Sequence, residues 1–179
     1  TLSFAGGLNT ANGIAFTAAG QGLSFGGLPT IGGAGITFGT RDANLTLNFS
    51  ADTTFAIPLV ITAANTVGNL YVTGASTTTF GTNNLGTSAT QSLNSITISS
   101  GSTGVFQKAV YAQTLNISGT GTFQSTLNAS QINLSGSGVL NLSSVPTIST
   151  GLSFGSSANT VANFNFAAGN TISAPITAT

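Results

Sequence analysis

A short phrase returns in register between residues 93 and 154, and it constrains the fold more than any other feature. Ile96–Thr97–Ile98 aligns with Leu115–Asn116–Ile117, then with Ile132–Asn133–Leu134, then with Leu152–Ser153–Phe154. Each copy alternates apolar and polar side chains with a period of two, the signature of a strand with one dry face and one wet face. Between the copies lie "SSGSTG", "SGTG" and "SGSG", which read as bends. Recurrence of an apolar-x-apolar triplet at about 17–20 residues predicts an all-β protein, a parallel β-helix-like β-solenoid with one coil per layer. Ile96, Leu115, Ile132 and Leu152 then stack in one interior ladder, at about 4.8 Å per layer. A second interior column is expected through Phe106, Phe123 and Leu140. About nine layers give a height of roughly 40 Å.

The first third carries related phrases at looser spacing. "TLSFAG", "GIAFTA", "GLSFGG" and "GITFGT" begin near positions 1, 13, 22 and 35, and "GLSFGS" returns at 151. A Gly before an apolar-x-Phe triplet suggests a sharp corner entering a short strand, and Asn12–Gly13 is a tight-turn signal. Residues 43–73 read as three fuller strands, "ANLTLNFSA", "FAIPLVITA" and "NLYVTG", with Pro58 marking an edge position or a bend. No composition shift marks a boundary, so residues 1–179 are expected to form a single all-β domain.

Charge sets the surface chemistry. One Lys, one Arg and two Asp make 2% of the chain, against roughly 25% in an ordinary domain. Hydrophobic residues still make up 40%, so low charge here does not signal disorder. The wet faces are built from Thr, Ser, Asn and Gln. A net charge of zero leaves nothing electrostatic to keep copies apart, which predicts an assembly or a longer chain. Arg41 and Lys108 are too few to neutralise phosphates, so nucleic acid is not an expected partner. The absence of Cys excludes disulfides and thiolate metal sites and suits an extracellular protein. With no Met present, Thr1 is expected to follow a removed leader or another cut. No apolar run approaches the roughly 20 residues of a membrane helix.

"TLNISGTGTF", "QINLSGSGVLNLSS" and the "GLSFG" phrases resemble the passenger regions of bacterial autotransporters and the large repetitive surface proteins related to them. The resemblance covers about half the chain and is compositional. It implies a right-handed parallel β-helix that is exported and serves in adhesion, surface coating or fibres.

Residues that do chemistry are scarce. With no His and no Cys, nucleophile–base pairs are unavailable, and only Asp42 and Asp52 remain as paired carboxylates. Asp42 beside Arg41 reads as a turn with a local ion pair. Asp42, Asn44, Asn48 and Asp52 are close in sequence and offer oxygens to calcium, but they lack the spacing of a calcium loop. "GGLPTIGGAG" lacks the Lys and the helix of a phosphate loop and reads as tight turns. Six Asn-x-Ser/Thr sequons occur, at Asn44, Asn48, Asn116, Asn128, Asn133 and Asn141. So many Ser and Thr residues produce about that number by chance, although the alternation points Asn116, Asn133 and Asn141 outward. The outward column Thr97, Asn116, Asn133, Ser153 is too mixed for an ice-binding threonine array, but it suits asparagine hydrogen-bond ladders. Phe4, Phe16, Phe25, Phe38, Phe106, Phe123 and Phe154 follow the inward parity and are expected to fill the core. Tyr71 and Tyr111 make no binding platform by themselves.

No catalytic, cofactor-binding or metal site is therefore expected. The predicted function is that of a non-enzymatic extracellular structural protein, a self-associating segment of a cell-surface fibre, layer or adhesin. Its partner would be itself, with a host surface or glycan as a second partner. Two rivals stand beside it. One is a pilin-like β-sandwich subunit, in which "TLSFAGG" or "NTISAPITAT" inserts into the next subunit. The other is a carbohydrate-binding or carbohydrate-cleaving β-helix. A transmembrane β-barrel fits poorly, because the strands are short and Tyr and Trp are few.

Overall fold

The computed structural model describes residues 1–40, 42–62, 67–155, 160–164 and 172–178. Three strands make the first rung: β1 (Leu2–Phe4), β2 (Asn9–Thr10) and β3 (Ile14–Phe16). The second rung repeats them as β4 (Gly22–Phe25), β5 (Thr30–Ile31) and β6 (Ile36–Phe38). The third holds β7 (Asn44–Leu47), β8 (Thr53–Thr54) and β9 (Leu59–Ile61). Next come β10 (Asn69–Val72) with β11 (Thr77–Phe80), then β12 (Leu93–Ile98) with β13 (Thr103–Phe106). The last rungs are β14 (Val110–Ile117) with β15 (Thr120–Phe123), β16 (Leu127–Leu134) with β17 (Val139–Leu142), β18 (Thr147–Phe154) with β19 (Val161–Phe164), and finally β20 (Ile176–Ala178).

The protein is a β-solenoid. Among the described residues nine strands stack in the order β1-β4-β7-β10-β12-β14-β16-β18-β20, and six form a second sheet, β8-β11-β13-β15-β17-β19. Two smaller sheets, β2-β5 and β3-β6-β9, complete the first rungs. Among the described residues there is no helix, and every strand pair is parallel; the one antiparallel contact is an isolated bridge from Ser88 to Gln91. This overturns the β-sandwich alternative, which needs antiparallel pairs. The "ISAPITA" stretch holds β20, paired in parallel with β18 as the next rung rather than extended as a donor strand.

Register follows the repeat. Leu70 lies against Ile96, Ile96 against Leu115, Leu115 against Ile132, and Ile132 against Leu152. Ile98, Ile117 and Leu134 stack likewise. These side chains are buried, each contributing about 1.5–3 kcal/mol. Two expectations need correcting. The compact rung inferred from the repeat holds only from Ile96 to Leu152. Elsewhere the coil is longer: Leu2 pairs with Leu23, Leu23 with Leu45, Leu45 with Leu70, Leu70 with Ile96, and Leu152 with Ile176. Each of those steps spans more chain than any step between Ile96 and Leu152. The second column continues from Phe123 to Leu142, while Leu140 lies against Gly121. The corner after Leu134 is two residues longer than the corner after Ile117, which moves the partner by two and keeps the parity.

The four phrases of the first third are two interleaved ladders. "LSF" at Leu2–Phe4 pairs with the same letters at Leu23–Phe25, whereas Ile14–Phe16 pairs with Ile36–Phe38 on another sheet. Phenylalanine rings stack along these columns: Phe4 on Phe25 at 5.8 Å, Phe16 on Phe38 at 5.3 Å, Phe80 on Phe106 at 4.8 Å and Phe106 on Phe123 at 4.7 Å. Phe16, Phe25, Phe38, Phe106 and Phe123 are buried, while Phe4 and Phe154 are half-buried. Gly104 and Gly121 point inward two residues before a Phe, and a Cβ on either would crowd that ring at 3.0–3.2 Å. Leu140 and Leu142 divide the same volume differently.

Candidate functional site

Polar ladders cover the outer faces. On the nine-stranded sheet one column runs Ser3, Ser24, Thr46, Tyr71, Thr97, Asn116, Asn133, Ser153, Thr177. The Asn133 amide donates to Asn116 Oδ1 at 2.9 Å, and Gln131 Nε2 donates to Asn133 Oδ1 at 3.1 Å and to Ser153 Oγ at 3.0 Å. Ser153 and Thr177 share a hydroxyl bond at 3.1 Å. A neighbouring column joins Asn69 Nδ2 to Asn44 Oδ1 at 3.0 Å, and Asn94 Nδ2 and Ser95 Oγ to Asn69 Oδ1, both at 2.8 Å. On the six-stranded sheet, Asn163 Nδ2 donates to Asn141 Oδ1 at 2.7 Å, and Asn141 Nδ2 donates to Thr122 Oγ1 at 3.2 Å. These amides link one rung to the next. In-register stacking sets like side chains one layer apart, where each amide can donate up or down and accept from the other side.

The ladder changes the standing of the sequons. Asn116, Asn133 and Asn141 do point outward, but they are half-buried and their amides are engaged between rungs. Asn133→Ala is expected to remove two of these bonds and lower stability by about 1–2 kcal/mol, read as a shift in the urea midpoint at unchanged slope.

The two carboxylates do not form a pair. Asp42 precedes β7 and Asp52 follows it, so a strand and a corner lie between them. The Asp42 carbonyl oxygen accepts from Asn44 Nδ2 at 3.0 Å, and Asp52 Oδ1 accepts the Thr77 backbone N–H at 2.8 Å. Asp52 therefore tethers the third rung to the fourth. Asn44 belongs to the ladder and Asn48 is exposed beyond the strand. Arg41, and with it the expected ion pair to Asp42, lies outside the described residues. Among the described residues no group of three or more His, Cys, Asp or Glu side chains comes together, and no helix is long and apolar enough to cross a membrane. Tyr71 sits in the outward column between Thr46 and Thr97, and Tyr111 lies against Asn128.

The described residues form concavities at three places on the surface, among others. The underside of the first rung, near Leu2, Ile14, Phe16 and Leu23, holds about 460 Å³. Val145–Ile148 and Ile172–Ala174 enclose about 280 Å³. A third, of about 250 Å³, lies between β9 and residues 83–87. Among the described residues no ionisable side chain lines any of them. Sequence reasoning missed all three, and the third depends on where one sheet stops and not on any residue pattern. Comparison with protein-family models, with curated proteins and with solved structures returns no match.

Proposed function

We propose that the chain is a non-enzymatic structural protein of the cell exterior, a self-associating segment of a surface fibre, layer or adhesin. One observation carries this reading: the outer faces are ladders of uncharged Ser, Thr and Asn that repeat with the rungs. Such a surface carries no charge pattern to repel a second copy, and its ladders match those of a second copy layer for layer. Among the described residues β1 and β20 each pair on one side only, and Leu2 and Ile176 are 59% and 57% exposed. An exposed strand edge is a template for further pairing. The next rung docks on such an edge in the same way whether it belongs to the same polypeptide or to a second copy.

Association built this way is driven by backbone pairing and apolar burial, so it should not respond to salt. Purified protein is expected to form fibres or sheets in negative stain, with a sedimentation profile that shifts with concentration and stays constant between about 0.05 and 0.5 M salt. Monodisperse monomers across a concentration series would contradict the proposal, and dissociation by salt would contradict its physical basis.

A further inference from the structure

We propose that the open edge of β9 is a docking groove for an extended, uncharged segment of a partner protein, held by β-strand addition. Among the described residues β9 pairs with β6 alone. On that side the Ile36 N–H donates to the Pro58 carbonyl at 2.9 Å, and the Thr62 N–H donates to the Phe38 carbonyl at 3.3 Å. Parallel pairing uses alternate residues, so the N–H and C=O groups of Leu59 and Ile61 face the other way, toward the fourth rung.

Among the described residues the fourth rung brings no strand to meet them. Leu85, which faces the gap from that rung, pairs onward instead: its N–H donates to the Ala109 carbonyl at 2.9 Å, and the Tyr111 N–H donates to the Leu85 carbonyl at 2.8 Å. Asn83 Nδ2 reaches back to the Ala56 carbonyl at 3.2 Å, beside the gap rather than across it. What remains is a groove of about 250 Å³ whose walls are Pro58, Val60, Asn83, Asn84, Gly86 and Thr87.

The chemistry of the occupant follows from these groups. A parallel strand would place one residue so that its N–H meets the Leu59 carbonyl and its C=O meets the Ile61 N–H. Among the described residues no wall residue is charged, so a charged side chain entering the groove would lose water and gain no partner. The walls are mainly apolar, with two Asn amides at one side, which suits a short apolar-x-apolar triplet flanked by small residues. The groove is walled by β9 on one side and by residues 83–87 on the other, so it admits a single extended strand and not the edge of a folded second copy, and the occupant is a segment that is unfolded in its own protein.

The test uses the whole chain and a fluorescent, end-blocked peptide Gly-Ile-Thr-Phe-Gly-Thr, which copies residues 35–40, the segment paired to the other edge of β9. Fluorescence anisotropy is expected to show saturable binding that salt does not change. N-methylation of the peptide at Ile, Thr and Phe, which blocks both of its edges, is expected to weaken binding about tenfold or more. Ile61→Pro removes one of the two groove-facing donors, the one that meets the peptide carbonyl, and should weaken the parent peptide in the same way. Should that variant unfold, the N-methylated peptide decides the matter on unaltered protein. No binding at about 1 mM peptide, or equal binding of the parent and N-methylated forms, would overturn the proposal.

Discussion

Replacing Phe106 by Ala is expected to lower the unfolding free energy by about 3–5 kcal/mol, enough to threaten folding at physiological temperature. The ring is 1% exposed and lies between two nearly parallel rings, Phe80 at an interplanar angle of 4° and Phe123 at 8°. Its removal forfeits burial, opens a cavity and breaks two ring contacts, each worth about 0.5–1.5 kcal/mol. Collapse cannot fill the gap easily. Gly104 lies beside it with no side chain to move in, and the hydrogen-bonded ladder holds the layers at fixed spacing. Phe4→Ala provides the contrast. That ring is half-buried and has one ring partner at 5.8 Å, so its loss should cost about 1 kcal/mol. Urea unfolding of both variants checks the difference. Similar losses at the two positions would mean that the central column is not close-packed.

Gly119→Ala is expected to cost about 2–3 kcal/mol or more, through the backbone and not through the core. A Cβ there would collide with the carbonyl oxygens of Ser99 and Ser102 in the preceding corner. Neither oxygen belongs to a flexible side chain, and the Ser102 carbonyl also accepts the Thr120 N–H at 2.9 Å. Relief therefore requires the two corners to separate, which strains the ladder on both sides. Two other glycines separate this cause from conformational freedom. Gly101 has a φ of +80° with open space around it, so its replacement by Ala should cost about 1–2 kcal/mol from left-handed backbone alone. Gly6 has neither restriction, and Gly6→Ala should be neutral or stabilise by up to about 1 kcal/mol. Thermal melts of the three variants should rank them in that order. If Gly119→Ala proved as mild as Gly6→Ala, the corners could not be stacked as closely as described.

The solenoid was legible between residues 93 and 154 because one compact rung holds one obvious triplet and the corners vary little in length. Ile96, Leu115, Ile132 and Leu152 can be aligned by eye, and they do stack. The column assigned to Leu140 went astray by two residues because the corner length changed by two. Parity survived that change, so Leu140 was placed correctly as an inward residue and wrongly as the partner of Phe123. The first third was harder for a different reason. Its triplets serve two sheets in turn, so neighbouring phrases in the sequence are not neighbours in space. The true period, from Leu2 to Leu23 to Leu45 and from Ile14 to Ile36, appears only when every second phrase is compared.

The outer ladder was partly legible as well. Stacked Asn116 and Asn133 follow from the repeat itself, and their hydrogen bond follows from stacking. Asn44 and Asn69 belong to the same kind of ladder but were hidden by the long rung between them. The groove at β9 left no trace in the sequence, since an unpaired edge is a property of the strand that does not arrive. Residues 81–92 carry no alternating pattern, which marks the change from rungs with three short strands to rungs built on the longer β14, β16 and β18.

The stacking of the rungs can be measured directly, because a chain without Cys accepts pairs of spin labels at chosen positions. Ser24, Thr46 and Ser153 share the outward column, with six rung steps from Ser24 to Ser153 and five from Thr46. At about 4.8 Å per step, pulsed electron-spin resonance should give about 29 Å for Ser24–Ser153 and about 24 Å for Thr46–Ser153, a difference of one layer. Distances that did not grow with the number of rungs, or that placed Ser24 as near to Ser153 as Thr46 is, would show a chain that folds back on itself and would contradict the parallel stack.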